Sequence, residues 1–143
     1  MRNLKTLTIL FRAQNAFRRY IEKDLAKHEL STAAFGTLEA LYHKGDLNGK
    51  QLSEKVLIRP SSMTYTLDQL IKKGLIEKRH SQEDARVITV SLTPLGKNTM
   101  DTLFLRHQEA MRSVLDELSE KEEVQLQNLL KRIGNKAFEK SQD

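Results

Sequence analysis

At 143 residues the chain has the length of one domain, enough for a real core but not for two independent ones, which excludes a large multidomain enzyme. Hydrophobic residues make up 38% and charged residues 30%, with six glycines and two prolines, the composition of long helices with much surface and not of a turn-rich β fold. No cysteine is present, so a disulfide framework, a thiolate zinc site and a cysteine redox switch are excluded, while the net charge of +5 favours an anionic partner without naming one.

The opening MRNLKTLTILFRAQNAFRRY lacks the unbroken apolar stretch and small-residue cleavage site of a signal peptide. No run approaches the roughly 18 apolar residues of a membrane span, so no membrane partner is expected and the cytoplasm is the expected compartment. Leu4, Leu7, Phe11, Phe17, Ile21 and Leu25 fall near a 3.6-residue period and predict one long amphipathic helix ending near KHEL. Ser31 and Thr32 are cap-type residues for a second helix carrying Phe35, Leu38 and Leu41, which the Gly and Asn residues of HKGDLNGK end. KQLSEKVLI predicts a short third helix with Leu52 and Val56 on one side. In RPSSMTYTLDQLIKKG, Pro60 suits a first turn and Met63, Leu67, Leu70 and Ile71 form an apolar stripe, with Gly74 as a left-handed stop. LIEKRH and VITVSLT alternate and are rich in β-branched residues, predicting a hairpin joined by loop 81–86. A fifth helix begins at PLG and carries Met100, Leu103, Phe104, His107, Met111, Val114, Leu115 and Leu118. Ser119 and Glu122 have capping-box spacing, predicting a sixth helix through Leu126, Leu129, Leu130, Ile133 and Ala137.

The middle of the chain is a short helix, a tight turn, a second helix with a polar face and a hairpin with a charged tip, the order of a winged helix-turn-helix. A helix fits the major groove of duplex DNA while a hairpin reaches the neighbouring narrower groove. Ser61, Ser62, Thr64, Tyr65, Gln69 and Lys72 are the groove-facing candidates, and Arg59 and Arg79 are placed to add phosphate contacts. A plainer reading stands beside this one: Ser and Thr at a helix start are ordinarily caps, and Lys72 with Lys73 complements a helix C-terminus. Residues 1–45 carry eight basic against four acidic residues, 46–93 eight against six, and 94–143 eight against nine, so the C-terminal third looks least like an anion-facing surface. The longest helices lie at the two ends and must bury their apolar faces somewhere, which predicts a homodimer.

STAAFGTLEAL, KQLSEKVLIRPSSMTYTLDQLIKKGLIEKR and EDARVITVSLTPLG, in this order and spacing, closely resemble the MarR family of bacterial transcriptional regulators across essentially the whole chain. The resemblance implies a mainly α fold with a small β-hairpin, one domain over 1–143. Within it, 31–94 form a winged-helix DNA-binding lobe, and 1–30 and 95–143 form dimerisation helices. It further implies binding to palindromic operators, usually as a repressor, and release by a small aromatic or phenolic effector held between the dimerisation and DNA-binding regions. By position, Arg86 resembles the wing arginine that enters the minor groove and Asp84 the acid that holds the wing in shape. Ser61, Ser62, Thr64 and Tyr65 fall on the N-terminal face of what resembles the recognition helix. Two departures stand out: Ser53 where the family commonly has alanine, and no cysteine, which puts thiol-oxidation sensing out of reach.

Phe11, Phe17, Tyr20, Phe35 and Tyr42 gather near the junction of the first two helices, and Phe17, Tyr20, His28 and Phe35 are the effector-pocket candidates, although large apolar side chains are more often simply core. His28, His43, His80 and His107 include no i, i+4 pair, so no metal site is expected. His80 with Glu83 and Asp84 offers metal-binding atoms, but a solvated hairpin tip explains them more simply. No Ser/His/Asp elbow and no Gly-rich phosphate loop occurs, so no catalytic residue and no cofactor is expected and the chain reads as a non-enzyme. A winged helix used for protein association is the alternative from another class.

Overall fold

The computed structural model describes residues 3–56 and 60–143, apart from the side chains of Pro60 and Ser61. Helix α1 spans Lys5–Ala26, α2 Thr32–Lys44, α3 Gly49–Val56, α4 Pro60–Lys72, α5 Pro94–Leu115 and α6 Glu120–Ser141; strands β1, β2 and β3 span Leu47–Asn48, Ile76–His80 and Ile88–Leu92. The chain divides into two compact units, Met1–His107 and Gln108–Asp143.

In the first unit, local chemistry sets the helix ends. Glu29 (φ 58) and Gly74 (φ 73) adopt the left-handed conformation after α1 and α4. The N–H groups of Leu30 and Leu75 then donate back to the carbonyls of Leu25 and Leu70 at 3.2 and 3.1 Å, closing each helix in the Schellman manner. The Ser31 hydroxyl accepts from the Ala34 N–H at 3.1 Å, capping α2. Asn48 and Gln51 cap α3 reciprocally: each backbone N–H donates to the other's side-chain oxygen, at 2.9 and 2.8 Å.

The sheet is three-stranded and antiparallel, in the order β1-β3-β2. Sequence periodicity predicts only the hairpin. β1 is two residues long and exists because Leu47 and Asn48 pair with Val90 and Thr89 some forty residues away, a contact with no local signature. β2 pairs with β3 from Ile76↔Leu92 to His80↔Ile88, which puts the loop at the far end of the ribbon from the core.

One core is fed by every helix and strand of this unit: Leu25, Leu38, Leu52, Met63, Leu70, Ile76, Val90 and Met100 are each 2% exposed or less. Thr37 is buried among them, with its hydroxyl donating to the Ala33 carbonyl at 2.8 Å. Ile71, expected on the apolar stripe of α4, is partly exposed instead, because Met63, Leu67 and Leu70 already fill the face that turns inward. At the start of α5, Gly96 has no room for a side chain, since a Cβ there would sit 2.0 Å from the Leu75 carbonyl oxygen. Thr93 locks the same corner, its hydroxyl donating to Gly74 O at 2.6 Å while accepting from Gly96 N–H at 3.0 Å.

The second unit is a helix corner. Ser119 and Glu122 form the predicted capping box at the start of α6. The Arg112 guanidinium donates to Asp116 at 2.7 Å and to both carboxylate oxygens of Glu123 at 2.9 Å. Leu118 falls in the turn before α6 and not on α5. No residue of α6 is buried, and Leu126, Leu129, Leu130 and Ile133 stand exposed at helical spacing. The start of α1 is likewise uncovered at Leu4, Leu7, Ile9 and Phe11.

Candidate nucleic-acid interface

Helix α4 has two faces. Met63, Thr66, Leu67 and Leu70 point into the core, while Ser62, Thr64, Tyr65 and Lys72 are exposed, Tyr65 at 68%; Gln69 is half-buried. The polar candidates therefore lie on the outward face, and their spacing follows from the apolar residues that the core claims. Arg59 and the Ser61 side chain lie outside the described residues.

The hairpin tip is ordered by its own polar groups. The Asp84 carboxylate accepts from the Arg86 backbone N–H at 3.0 Å and from its guanidinium at 3.2 Å through both Nε and Nη2. These bonds hold the Asp84 carboxyl below its ordinary pKa, the side-chain bond from Arg86 being the largest cause. Val87 N–H donates to Asp84 O at 2.9 Å and Ser81 N–H to Val87 O at 2.8 Å, closing the loop at its base. The Arg86 side chain remains 90% exposed, charged and held by one end only. Arg79 is placed differently from a free phosphate contact: its guanidinium is engaged by Glu77 on the same strand, with Nε at 2.8 Å.

The effector candidates do not converge. Phe35 is buried, its ring 4.6 Å from that of His107, whose Nδ1 lies 3.0 Å from Asp24 Oδ2. Phe17 and Tyr20 are half-buried on α1. His28 lines a cleft of about 430 Å³ with a floor of Leu30, Leu75 and Leu103 and a rim that includes Lys73 and Arg106. The Lys73 ammonium donates across it to the Glu29 carbonyl, tying the end of α4 to the α1–α2 turn. Neither Lys73 nor Arg106 was legible as a cleft residue, because only the folding of three segments onto one another brings them together. Among the described residues no cluster of His, Asp and Glu has the geometry of a metal site, and His80 is turned onto the Ala85 carbonyl. Nor, among the described residues, is any helix long and apolar enough to cross a membrane.

Comparison with known proteins agrees with this architecture. The chain is 33% identical over 133 residues to the HTH-type transcriptional regulator MhqR of Bacillus subtilis, covering 93% of this chain and 92% of that one. It is 27% identical to the HTH-type transcriptional repressor MdtR of the same organism, over 80% of this chain and 74% of the relative. Among solved structures, AbsC, a MarR family transcriptional regulator from Streptomyces coelicolor, superposes with a TM-score of 0.84 at 19% identity, covering 96% and 98% of the two chains. A mutant MarR from E. coli complexed with operator DNA superposes at 0.78 with 21% identity, covering 91% and 94%. The MarR family model itself matches residues 30–88, which run from the turn before α2 through the hairpin tip to the first residue of β3. With its helix-turn-helix, its wing and a relative matched over nearly its whole length, the chain belongs to the MarR family.

Proposed function

We infer that this chain is a sequence-specific DNA-binding transcriptional regulator, a ligand-responsive repressor that binds palindromic operators as a homodimer. The observation that carries this is the two-faced α4, whose Met63, Leu67 and Leu70 are locked into the core while Ser62, Thr64 and Tyr65 are left to the outside. Short hydroxyls and a phenol on the first turns of such a helix suit phosphate and base edges of a major groove. Arg86 reaches into the adjacent minor groove, and Asp84 shapes the loop that presents it. Arg59, Ser61, Gln69 and Lys72 complete the contact set, and Arg79 joins it on leaving Glu77. The relative MdtR is named a repressor, and the structural neighbour from E. coli holds operator DNA, both of which support the reading.

The domain reading follows: 31–94 form the DNA-binding lobe, and the exposed apolar residues of α1 and α6 belong to the dimer. A small aromatic or phenolic effector is assigned to the cleft beside His28, where Leu30, Leu75 and Leu103 offer an apolar floor and Lys73 and Arg106 offer charge. Of the four effector candidates only His28 lines this cleft, while Phe35 lies in the core and Phe17 and Tyr20 are half-buried on α1. Two recognition helices must match successive major grooves about 34 Å apart, so a ligand that prefers another spacing lowers affinity by population shift.

The test is a gel shift on the DNA upstream of the protein's own gene, in raised salt with competitor. Retention of that fragment over random duplex is the expected result; equal retention of both would count against the reading.

A further inference from the structure

His80 is the last residue of β2 and pairs with Ile88 at the neck of the hairpin. Its Nδ1 lies 2.7 Å from the carbonyl oxygen of Ala85, across the loop. A carbonyl only accepts, so Nδ1 must carry the proton and donate. That assignment leaves the other ring nitrogen, Nε2, with a bare lone pair, on a side chain that is exposed. Ala85 is the residue directly before Arg86. The tip arginine is thus held from two sides, by Asp84 through its own N–H and guanidinium and by His80 through the peptide that precedes it.

The charged groups around the ring are few. On β2, Lys78 shares its face by strand alternation, and Arg79 is neutralised by Glu77. In the loop, Asp84 is neutralised by Arg86, which leaves Glu83. The facing strand β3, Ile88–Leu92, carries no ionisable side chain. With both nearby ion pairs internally balanced, a proton on His80 changes the net charge of the wing.

The geometry points to His80 as a positioning residue for Arg86 whose Nε2 contacts a DNA phosphate, so that binding of the wing to DNA takes up a proton at this ring. This rests on the DNA-binding reading above and adds to it a residue and a regulatory variable. Histidine is the side chain whose charge changes between about pH 5 and 8, and a phosphate beside it favours the charged form. By linkage, a group whose proton affinity rises on binding contributes affinity that is fully present at low pH and lost as pH rises.

The experiment measures affinity for a duplex recovered by the wild-type protein from a random-sequence pool, at about pH 6 and about pH 8, for wild type, H80N and H80A, with circular dichroism as the folding control. The amide nitrogen of the first variant stands near the place of Nδ1 and can still donate to Ala85, but it does not titrate. Wild type is expected to bind about threefold to tenfold more tightly at the lower pH, the size of a shift of up to one unit in one group. Neither variant should gain on acidification, and H80N should bind more tightly than H80A at the higher pH. The proposal is overturned if H80N keeps the wild-type slope, or if H80A matches wild type at both values. Wild type that recovers no duplex at either pH overturns the DNA-binding reading and this proposal with it.

Discussion

Asp84 and Arg86 form a device of two side chains with separable roles. The acid accepts three bonds from Arg86, so its part is to shape the loop, while the arginine, 90% exposed, is the part that reaches DNA. R86A should therefore weaken operator binding by about tenfold to a hundredfold, corresponding to about 1–3 kcal/mol for a groove-reading arginine. D84A should weaken it by a smaller factor, because the arginine remains but its loop is no longer held. Titration of a labelled duplex checks both; equal affinities for R86A and wild type would remove the wing from the interface. The pair itself was visible in the sequence as DAR at a hairpin tip, whereas the bond from His80 to Ala85 was not. An imidazole at a strand end gives no sign of which carbonyl the loop will bring to it.

Elements whose boundaries are set within a few residues were legible, and those set by distant partners were not. Ser31 before α2, Gly74 after α4 and the Ser119–Glu122 box act on their own neighbours, and sequence spacing finds them. β1 depends on Val90 and Thr89, and the cleft depends on Lys73 meeting Glu29; both need the tertiary fold before they exist. The cap of α6 yields an element-scale prediction. S119A removes the acceptor of the Glu122 N–H and should lower stability by about 1 kcal/mol, read from thermal unfolding by circular dichroism. Acid should act on the same corner. Glu122, held low mainly by the Ser119 backbone N–H, and Glu123, held low mainly by Arg112, both have depressed pKa values. Their contribution is therefore present above the ordinary glutamate pKa of about 4.3 and is lost as pH falls through the folded values. Unfolding midpoints that do not move over that interval would contradict this account of the corner.

At the scale of the molecule, the exposed apolar residues are concentrated on the terminal helices. Leu126, Leu129, Leu130 and Ile133 on α6, and Leu7, Ile9 and Phe11 on α1 with Leu4 just before it, are left uncovered within one chain, and a helix with an apolar face needs a partner. The double variant L129K/I133K should sediment as a monomer and lose about a hundredfold in operator affinity, since a second half-site held by the same molecule acts at high effective concentration. A dimeric variant with full affinity would place the interface elsewhere. The helices' existence was legible from periodicity, but what covers them was not, because an apolar stripe is the same sequence whether it meets its own chain or another. The most direct test of the whole account is a hydroxyl-radical footprint of the wild-type protein on a duplex it has selected. Two symmetry-related protected half-sites with centres about 34 Å apart are expected, each losing minor-groove protection in R86A. A single protected half-site, or protection with no sequence preference over competitor duplex, would contradict it.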